Sequence, residues 1–210
     1  MKKAIKYIHL ILSLPAGIVL TIVCLTGAIL VFDDEINQLL YPSRYYVENT
    51  TASPIPLDRL VELVNKQLPD NSVSELQLFN DPERTAVATL KEGFRVSAFI
   101  NPYTGEVLAI SSFRDTFFFK VMSLHRWLMD SSRTTGKWIV GVSTLFMVVL
   151  LLSGIYLWFP RKKKNIQSSL TLKRKAGFAR KLYDLHSVAG AYVSIVLLKL
   201  SLTGLMWSFD

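Results

Sequence analysis

The chain contains three histidines, His9, His125 and His186, and histidine nitrogens are common protein ligands of haem iron. Two of them occupy the same position in similar apolar segments, because residues 9–33 and 186–210 align at an offset of 177 residues. Each segment is long enough to cross a bilayer. Two histidines at matched depth on two membrane helices could therefore hold one haem b from both sides.

The same alignment pairs Gly27 with Gly204, and each glycine follows its histidine by 18 residues. Eighteen residues complete five helical turns, so each histidine shares a helix face with a glycine roughly 27 Å away. A face with a ligand at one end and a small residue at the other could admit a flat macrocycle. Close packing of small residues between helices explains the two glycines equally well.

Apolar runs predict three membrane-spanning helices, at residues 8–32, 137–159 and 186–209. The first run is too long for the apolar core of a signal peptide, which favours an uncleaved anchor. The only cysteine, Cys24, lies inside this run. It excludes an intrachain disulfide and a cysteine-based metal site.

The net charge of +8 is distributed as expected for a membrane protein. Basic residues concentrate before the first run and between residues 161 and 181, whereas acidic residues outnumber basic ones in residues 33–136. Cytoplasmic loops carry such an excess of lysine and arginine. The pattern places the N-terminus in the cytoplasm and residues 33–136 outside, and it favours contact with the lipid bilayer over binding of nucleic acid.

Residues 33–136 contain the pattern of a small α+β unit. Residues 56–68 have the apolar spacing of an amphipathic helix, and short alternating segments follow at 73–79, 85–90 and 94–100. A tight turn follows at residues 101–106, where Gly105 can take a positive φ. The fold class predicted is a membrane α-helical protein of three transmembrane helices with an inserted extracytoplasmic α+β domain.

His125 and Arg126 lie in the segment LHRWL on the outer side, just before the second span. Such a histidine is most simply an interfacial residue beside Arg126 and Trp127. It could instead ligate a second, outer haem, and a further ligand would then come from another polypeptide or from one of four side chains. These are Asp33, Met122, Met129 and Asp210.

Lys199 lies near the middle of the third span, where a charge is costly and commonly functional. The three spans contain no carboxylate to pair with it. It could extend towards the membrane surface, face a haem propionate or meet a partner chain.

The segments LHRWL, SGIYLWFPRKKK, DLHSVAG and LTGLMWSFD, in this order around a unit ending NPYTGEVL, resemble the PepSY-associated transmembrane family. Residues 54–110 resemble its PepSY domain. The family includes iron-regulated membrane proteins and siderophore-iron reductases of the bacterial inner membrane. The resemblance implies that His9, His125 and His186 are haem ligands, with Gly27, Gly204, Arg126 and Lys199 as further candidates.

The resemblance implies electron transfer through haem to ferric iron or a ferric siderophore, which is a ferric reductase activity. The donor would be cytoplasmic or a quinol, and the sequence does not identify it. The alternative is a non-enzymatic membrane module whose PepSY unit binds a peptide, a metal chelate or a partner protein. Family members commonly continue to a fourth span, so a further helix or chain is expected to complete the protein. The predicted segments are 1–36 (first span), 37–115 (PepSY-like domain), 116–160 (LHRWL and second span), 161–185 (basic loop) and 186–210 (third span).

Overall fold

The computed structural model describes residues 2–48, 52–160, 166–171 and 177–209, without the side chain of Ser168. The chain forms two compact units, one of Met1–Thr26 with Ser123–Asp210 and the other of Gly27–Met122. In chain order the elements are α1 (Lys2–Val31), α2 (Asp33–Leu40), α3 (Pro42–Tyr45), α4 (Leu57–Gln67), β1 (Val73–Gln77), β2 (Ala86–Leu90), β3 (Val96–Ile100), β4 (Val107–Ser112), a 3₁₀ turn (Phe113–Asp115), α5 (Phe117–Trp127), α6 (Thr135–Trp158), α7 (Ile166–Ser169) and α8 (Phe178–Phe209).

Three helices of the first unit, α1, α6 and α8, are long and apolar enough to cross a membrane. Their outer faces carry exposed leucine, isoleucine, valine and aromatic side chains, which a bilayer would cover. The prediction of three spans is confirmed. The third helix, however, begins at Phe178 rather than at His186, because the polar segment before His186 is itself helical.

The two ends of the helical unit are defined by contacts between its helices. At one end, Nζ of Lys2 donates a hydrogen bond to the carbonyl oxygen of Phe159 at 3.2 Å. At the other end, the rings of Trp138 and Phe209 meet at 5.4 Å between centroids. Helices α1 and α8 therefore both run antiparallel to α6 and parallel to each other.

Helices α6 and α8 pack closely where small residues face the neighbouring helix. A Cβ atom at Gly141 would lie 3.1 Å from the ring of Phe209 and from Cβ of Ser208. A Cβ atom at Gly204 would lie 3.7 Å from Cγ2 of Thr144. Small side chains at these positions let the two helix backbones approach each other.

The second unit is a four-stranded antiparallel sheet in the order β1-β2-β3-β4, with α4 packed on one face. The amphipathic pattern of α4 directs Leu60 and Val64 into the core, where both are almost fully buried. Alternating strand residues meet them: Ala86, Ala88, Leu90, Ala98 and Ile100. The prediction of a helix packed on an antiparallel sheet is confirmed, with β4 as its last strand.

The turn between β3 and β4 depends on Gly105, which has φ +76° as predicted. A Cβ atom there would lie 2.7 Å from Cδ1 of Leu63 on α4, so a side chain would collide with the helix. Nε2 of Gln67 donates a hydrogen bond to the carbonyl oxygen of Gly105 at 2.7 Å. The turn is therefore fixed against α4.

Candidate histidine site

His9 lies on α1 and contacts α6 through a hydrogen bond. Its Nδ1 atom lies 2.8 Å from Oγ of Ser153. The hydroxyl of Ser153 donates its single proton to the backbone carbonyl of Val149, at 2.7 Å, with Leu150 as a second acceptor at 3.1 Å. With its proton on that carbonyl, Ser153 accepts from His9, and in this tautomer the proton of the neutral imidazole lies on Nδ1.

This hydrogen bond has a chemical consequence for the other ring nitrogen of His9. A neutral imidazole protonated at Nδ1 carries a lone pair on Nε2, which is then free to bind a metal. The neighbouring residue is Gly154, where a Cβ atom would lie 3.4 Å from Cε1 of His9. The pair Ser153-Gly154 therefore both orients the ring and leaves room beside it.

His186 lies on α8 at the same end of the helical unit as His9. The side chain of His186 is exposed, and among the described residues it has no hydrogen-bond partner. The structure thus places at one end of the helical unit the two histidines that the 177-residue repeat relates.

His125, on α5, also forms a hydrogen bond through its Nδ1 atom, in this case with α1. The carbonyl oxygen of Val23 lies 2.9 Å from Nδ1 and can only accept. Oγ1 of Thr26 lies at 3.2 Å and gives its own proton to the carbonyl of Ile22 at 2.6 Å. The proton of neutral His125 is therefore on Nδ1 and the lone pair on Nε2, and burial lowers the pKa of the ring, favouring this neutral form.

The contact of His125 lies far from that of His9. Val23 follows His9 by 14 residues on α1, which is about 21 Å along a helix. The structure therefore separates His125 from His9 and His186, which lie at the other end of the helical unit. Two residues of α1, His9 and Val23, each take part in a hydrogen bond that involves a histidine ring.

Arg126, next to His125, lies in an aromatic cluster. Its guanidinium carbon is 4.9 Å from the ring centroid of Trp207 on α8 and 5.7 Å from that of Trp127. These are cation–π distances. The contacts join α5 to α8 without bringing Arg126 to the pair formed by His9 and His186.

The other candidates lie outside the histidine pair. Gly204 packs on Thr144, as described above, which is the small-residue contact of two helices. Gly27 lies half-buried on α1, and Lys199 is exposed on α8. Of the four further ligands considered for an outer haem, Asp210 falls outside the described residues.

Sequence reasoning missed the residues that orient the histidines. Ser153, Val23 and Thr26 act through hydrogen bonds between helices, and a carbonyl acceptor such as that of Val23 has no side-chain pattern to detect. Ser153 stands directly before Gly154, and nothing in the sequence distinguishes this pair from ordinary small residues at a helix contact.

No group of three or more His, Cys, Asp or Glu side chains in the described part of the chain is arranged to hold a metal ion. A haem iron takes only two axial ligands, so a pair of histidines is a sufficient protein donor set.

Comparison with curated proteins gives no match for the chain. The family model described as PepSY-associated TM region matches residues 7–210. This match includes all three histidines, the three long helices and the sheet. The chain therefore belongs to the PepSY-associated TM region family and is a multi-pass membrane protein.

Proposed function

We propose that this protein binds haem b in the bacterial inner membrane and moves electrons across it to ferric iron or a ferric siderophore outside. Membership of the PepSY-associated TM region family supports a membrane protein of this type. The electron path is proposed to begin at the cytoplasmic side, where the excess of basic residues favours placing the N-terminus.

The observation that carries the proposal is the hydrogen bond from His9 to Ser153. Metal-ligating histidines characteristically donate their second ring nitrogen to an acceptor, which fixes the tautomer and the ring orientation. His9 has this arrangement, and His186 lies at the same end of the helical unit. The donor chemistry therefore fits a haem iron held between His9 and His186.

A haem bound there would supply one-electron chemistry, and the surrounding residues would orient and tune it. Ser153 holds the proton of His9 on Nδ1, and Gly154 leaves space beside the ring. His125 is the candidate ligand at the other end of α1, because it also carries its lone pair on Nε2. Two haems, one near each end of the helical unit, would allow electrons to cross most of the bilayer.

The test is the haem content of the protein purified in mild detergent from cells supplied with haem. We expect a red preparation with the absorption spectrum of a bis-histidine haem. His9→Ala and His186→Ala should each lose the cofactor of the cytoplasmic end, whereas Ser13→Ala should not. Ser13 is a matched control because its hydroxyl bonds only to the Leu10 carbonyl of its own helix.

A colourless wild-type protein, or a His9→Ala/His186→Ala double variant with full haem content, would overturn the proposal. The non-enzymatic PepSY module would then be the better description. Electron delivery is tested separately by reducing the purified protein with dithionite, removing the excess and adding a ferric siderophore. Reoxidation of the haem spectrum is the expected result.

A further inference from the structure

A cavity of about 280 Å³ lies where α6 ends and α8 begins, the end of the helical unit that holds His9 and His186. Its walls include Trp158 and Tyr183, two aromatic side chains, and Ser187, the residue after His186. Arg180 and Asp184 also border it. Pockets for drug-sized ligands begin at about 300 Å³, so this cavity suits a head group of one or two rings.

Asp184 is the unusual residue of this cavity. It is only 6% exposed, and its Oδ1 atom forms an ion pair with Nε of Arg180 at 2.9 Å. Its Oδ2 atom is buried, and no hydrogen-bond partner for it lies in the part of the chain that the structure describes. A buried carboxylate oxygen without a donor is energetically costly, and native proteins satisfy nearly all such atoms.

The charge of Asp184 limits which chemical group can donate a hydrogen bond to its Oδ2 atom. Arg180 already neutralises the carboxylate, so a second cation would leave an unbalanced positive charge in a poorly hydrated place. A neutral hydroxyl group supplies a proton to Oδ2 without that cost. The aromatic walls favour a hydroxyl carried on a flat ring.

The position of the cavity indicates where such a ligand comes from. Trp158 is the last residue of α6, and tryptophan at the end of a membrane helix is typical of the boundary between lipid and water. A ligand with a polar head and an apolar tail can reach this level from within the bilayer.

We propose that the cavity binds the head group of a lipid-soluble hydroquinone, and that Oδ2 of Asp184 accepts a hydrogen bond from one phenolic hydroxyl. Admitting the ring requires the exposed part of the Arg180 side chain to move while its Nε stays paired with Oδ1 of Asp184. This inference rests on the proposed function, for which it names the class of electron donor. Asp184 precedes His186 by two residues on α8, so the donor would stand beside the proposed haem ligands.

Oxidation of the bound hydroquinone breaks two O–H bonds and yields the quinone, two protons and two electrons. The two electrons would leave one at a time, through the haem of the proposed function, and would reduce two ferric ions. Both protons leave to water.

The test is binding of 2,3-dimethoxy-5-methyl-1,4-hydroquinone and of its quinone to the detergent-purified protein, by anaerobic titration calorimetry. A quinone has only acceptor oxygens and cannot satisfy Asp184. We expect the hydroquinone to bind about tenfold more tightly than the quinone, the effect of one charge-assisted hydrogen bond. Asp184→Asn, whose amide can donate, should lose this preference.

Asp58→Asn is the matched control, because Asp58 lies in the first turn of α4 and lines no part of the cavity. It should bind both forms like the wild type. Circular dichroism and thermal unfolding establish that Asp184→Asn is folded. Equal binding of the two forms, an unchanged preference in Asp184→Asn, or no binding of either form would overturn the proposal.

The same titration on His9→Ala separates this inference from the proposed function. Selective hydroquinone binding by a protein without haem would support the cavity while the haem assignment fails. Haem retention by the wild type without hydroquinone binding would support the haem assignment while the cavity proposal fails.

Discussion

Gly136, at the start of α6, lies directly against the backbone of Trp127, at the end of α5. A Cβ atom built at Gly136 would collide with the carbonyl oxygen of Trp127 and lie 2.6 Å from its carbonyl carbon. The amide of Gly136 also donates a hydrogen bond to Oδ2 of Asp130 at 3.0 Å. The turn between α5 and α6 is therefore closed so tightly that only glycine fits.

We expect Gly136→Ala to destabilise the protein by about 1–3 kcal/mol or more, because backbone atoms must move to accept a methyl group. Gly190→Ala on α8 is the control, since a Cβ atom there meets nothing within 4 Å. That change should be neutral or slightly stabilising. Thermal unfolding in detergent measures both, and equal midpoints for the two variants would contradict the prediction.

Ser153→Ala should weaken haem binding without removing a ligand. The ring of His9 would lose the acceptor that fixes its tautomer, and loss of such an outer partner typically costs 10- to 100-fold in metal affinity. Ser153→Thr keeps the hydroxyl and should retain more haem. The haem-to-protein ratio after dilution measures the effect, and unchanged retention in Ser153→Ala would show that the hydrogen bond is not used.

The stability of the protein should depend on the protonation of His125. Burial lowers the pKa of this ring in the folded state, so the unfolded chain binds more protons as the pH falls through the ordinary histidine range. Stability should therefore decrease as pH drops below about 6.5. His125→Asn retains a donor towards Val23 but does not titrate.

The measurement for His125 is the unfolding midpoint of the wild type and His125→Asn between pH 7.5 and 5. The wild type should lose more stability over this range than the variant. Parallel curves would mean that protonation of His125 does not contribute.

Lys199→Ile should stabilise the insertion of α8, because Lys199 is exposed on a membrane-spanning helix. A lysine at the centre of a membrane helix costs about 2.5–3.5 kcal/mol on insertion scales. Isoleucine is the residue at the equivalent position of the first repeat, Ile22. We expect greater resistance to thermal denaturation in nanodiscs, whereas a loss of stability would indicate that Lys199 has a partner, such as a propionate or a further chain.

The orientation in the membrane can be tested with single cysteines in a Cys24→Ser background, since Cys24 is the only cysteine. Ser53→Cys should react with an impermeant maleimide in intact spheroplasts, and Phe178→Cys only after lysis. Both parent side chains are exposed. The reverse labelling would place the His9–His186 end outside and exclude the proposed direction of electron transfer.

The sequence predicted the spans because apolar length is a property of each single helix. Apolar length determines which segments cross a bilayer, and the repeat puts His9 and His186 at equal depth on parallel helices. The segment from Phe178 to His186 was predicted as a loop because it is basic and lacks an apolar run. It is helical in the structure, where Oδ1 of the buried Asp184 forms an ion pair with Nε of Arg180, four residues earlier.

The contacts between helices could not be read from the sequence in the same way. His125 was placed correctly before the second span, but its acceptor is a backbone carbonyl on α1, 102 residues away. Any residue type supplies such a carbonyl. The glycine at 204 was compatible with both a cofactor face and helix packing, and only the distance to Thr144 favours packing.

The hydrogen bonds of His9 and His125 use the ring nitrogens opposite to those that would bind iron. Both bonds form from protein atoms alone and would remain in place after a metal binds at Nε2. The membrane helices could therefore assemble first and receive the cofactor afterwards, with no rupture of the bonds that attach the first helix to its neighbours. Under the proposed function, haem insertion would therefore break none of these hydrogen bonds, and maturation of the protein would follow haem supply rather than protein synthesis.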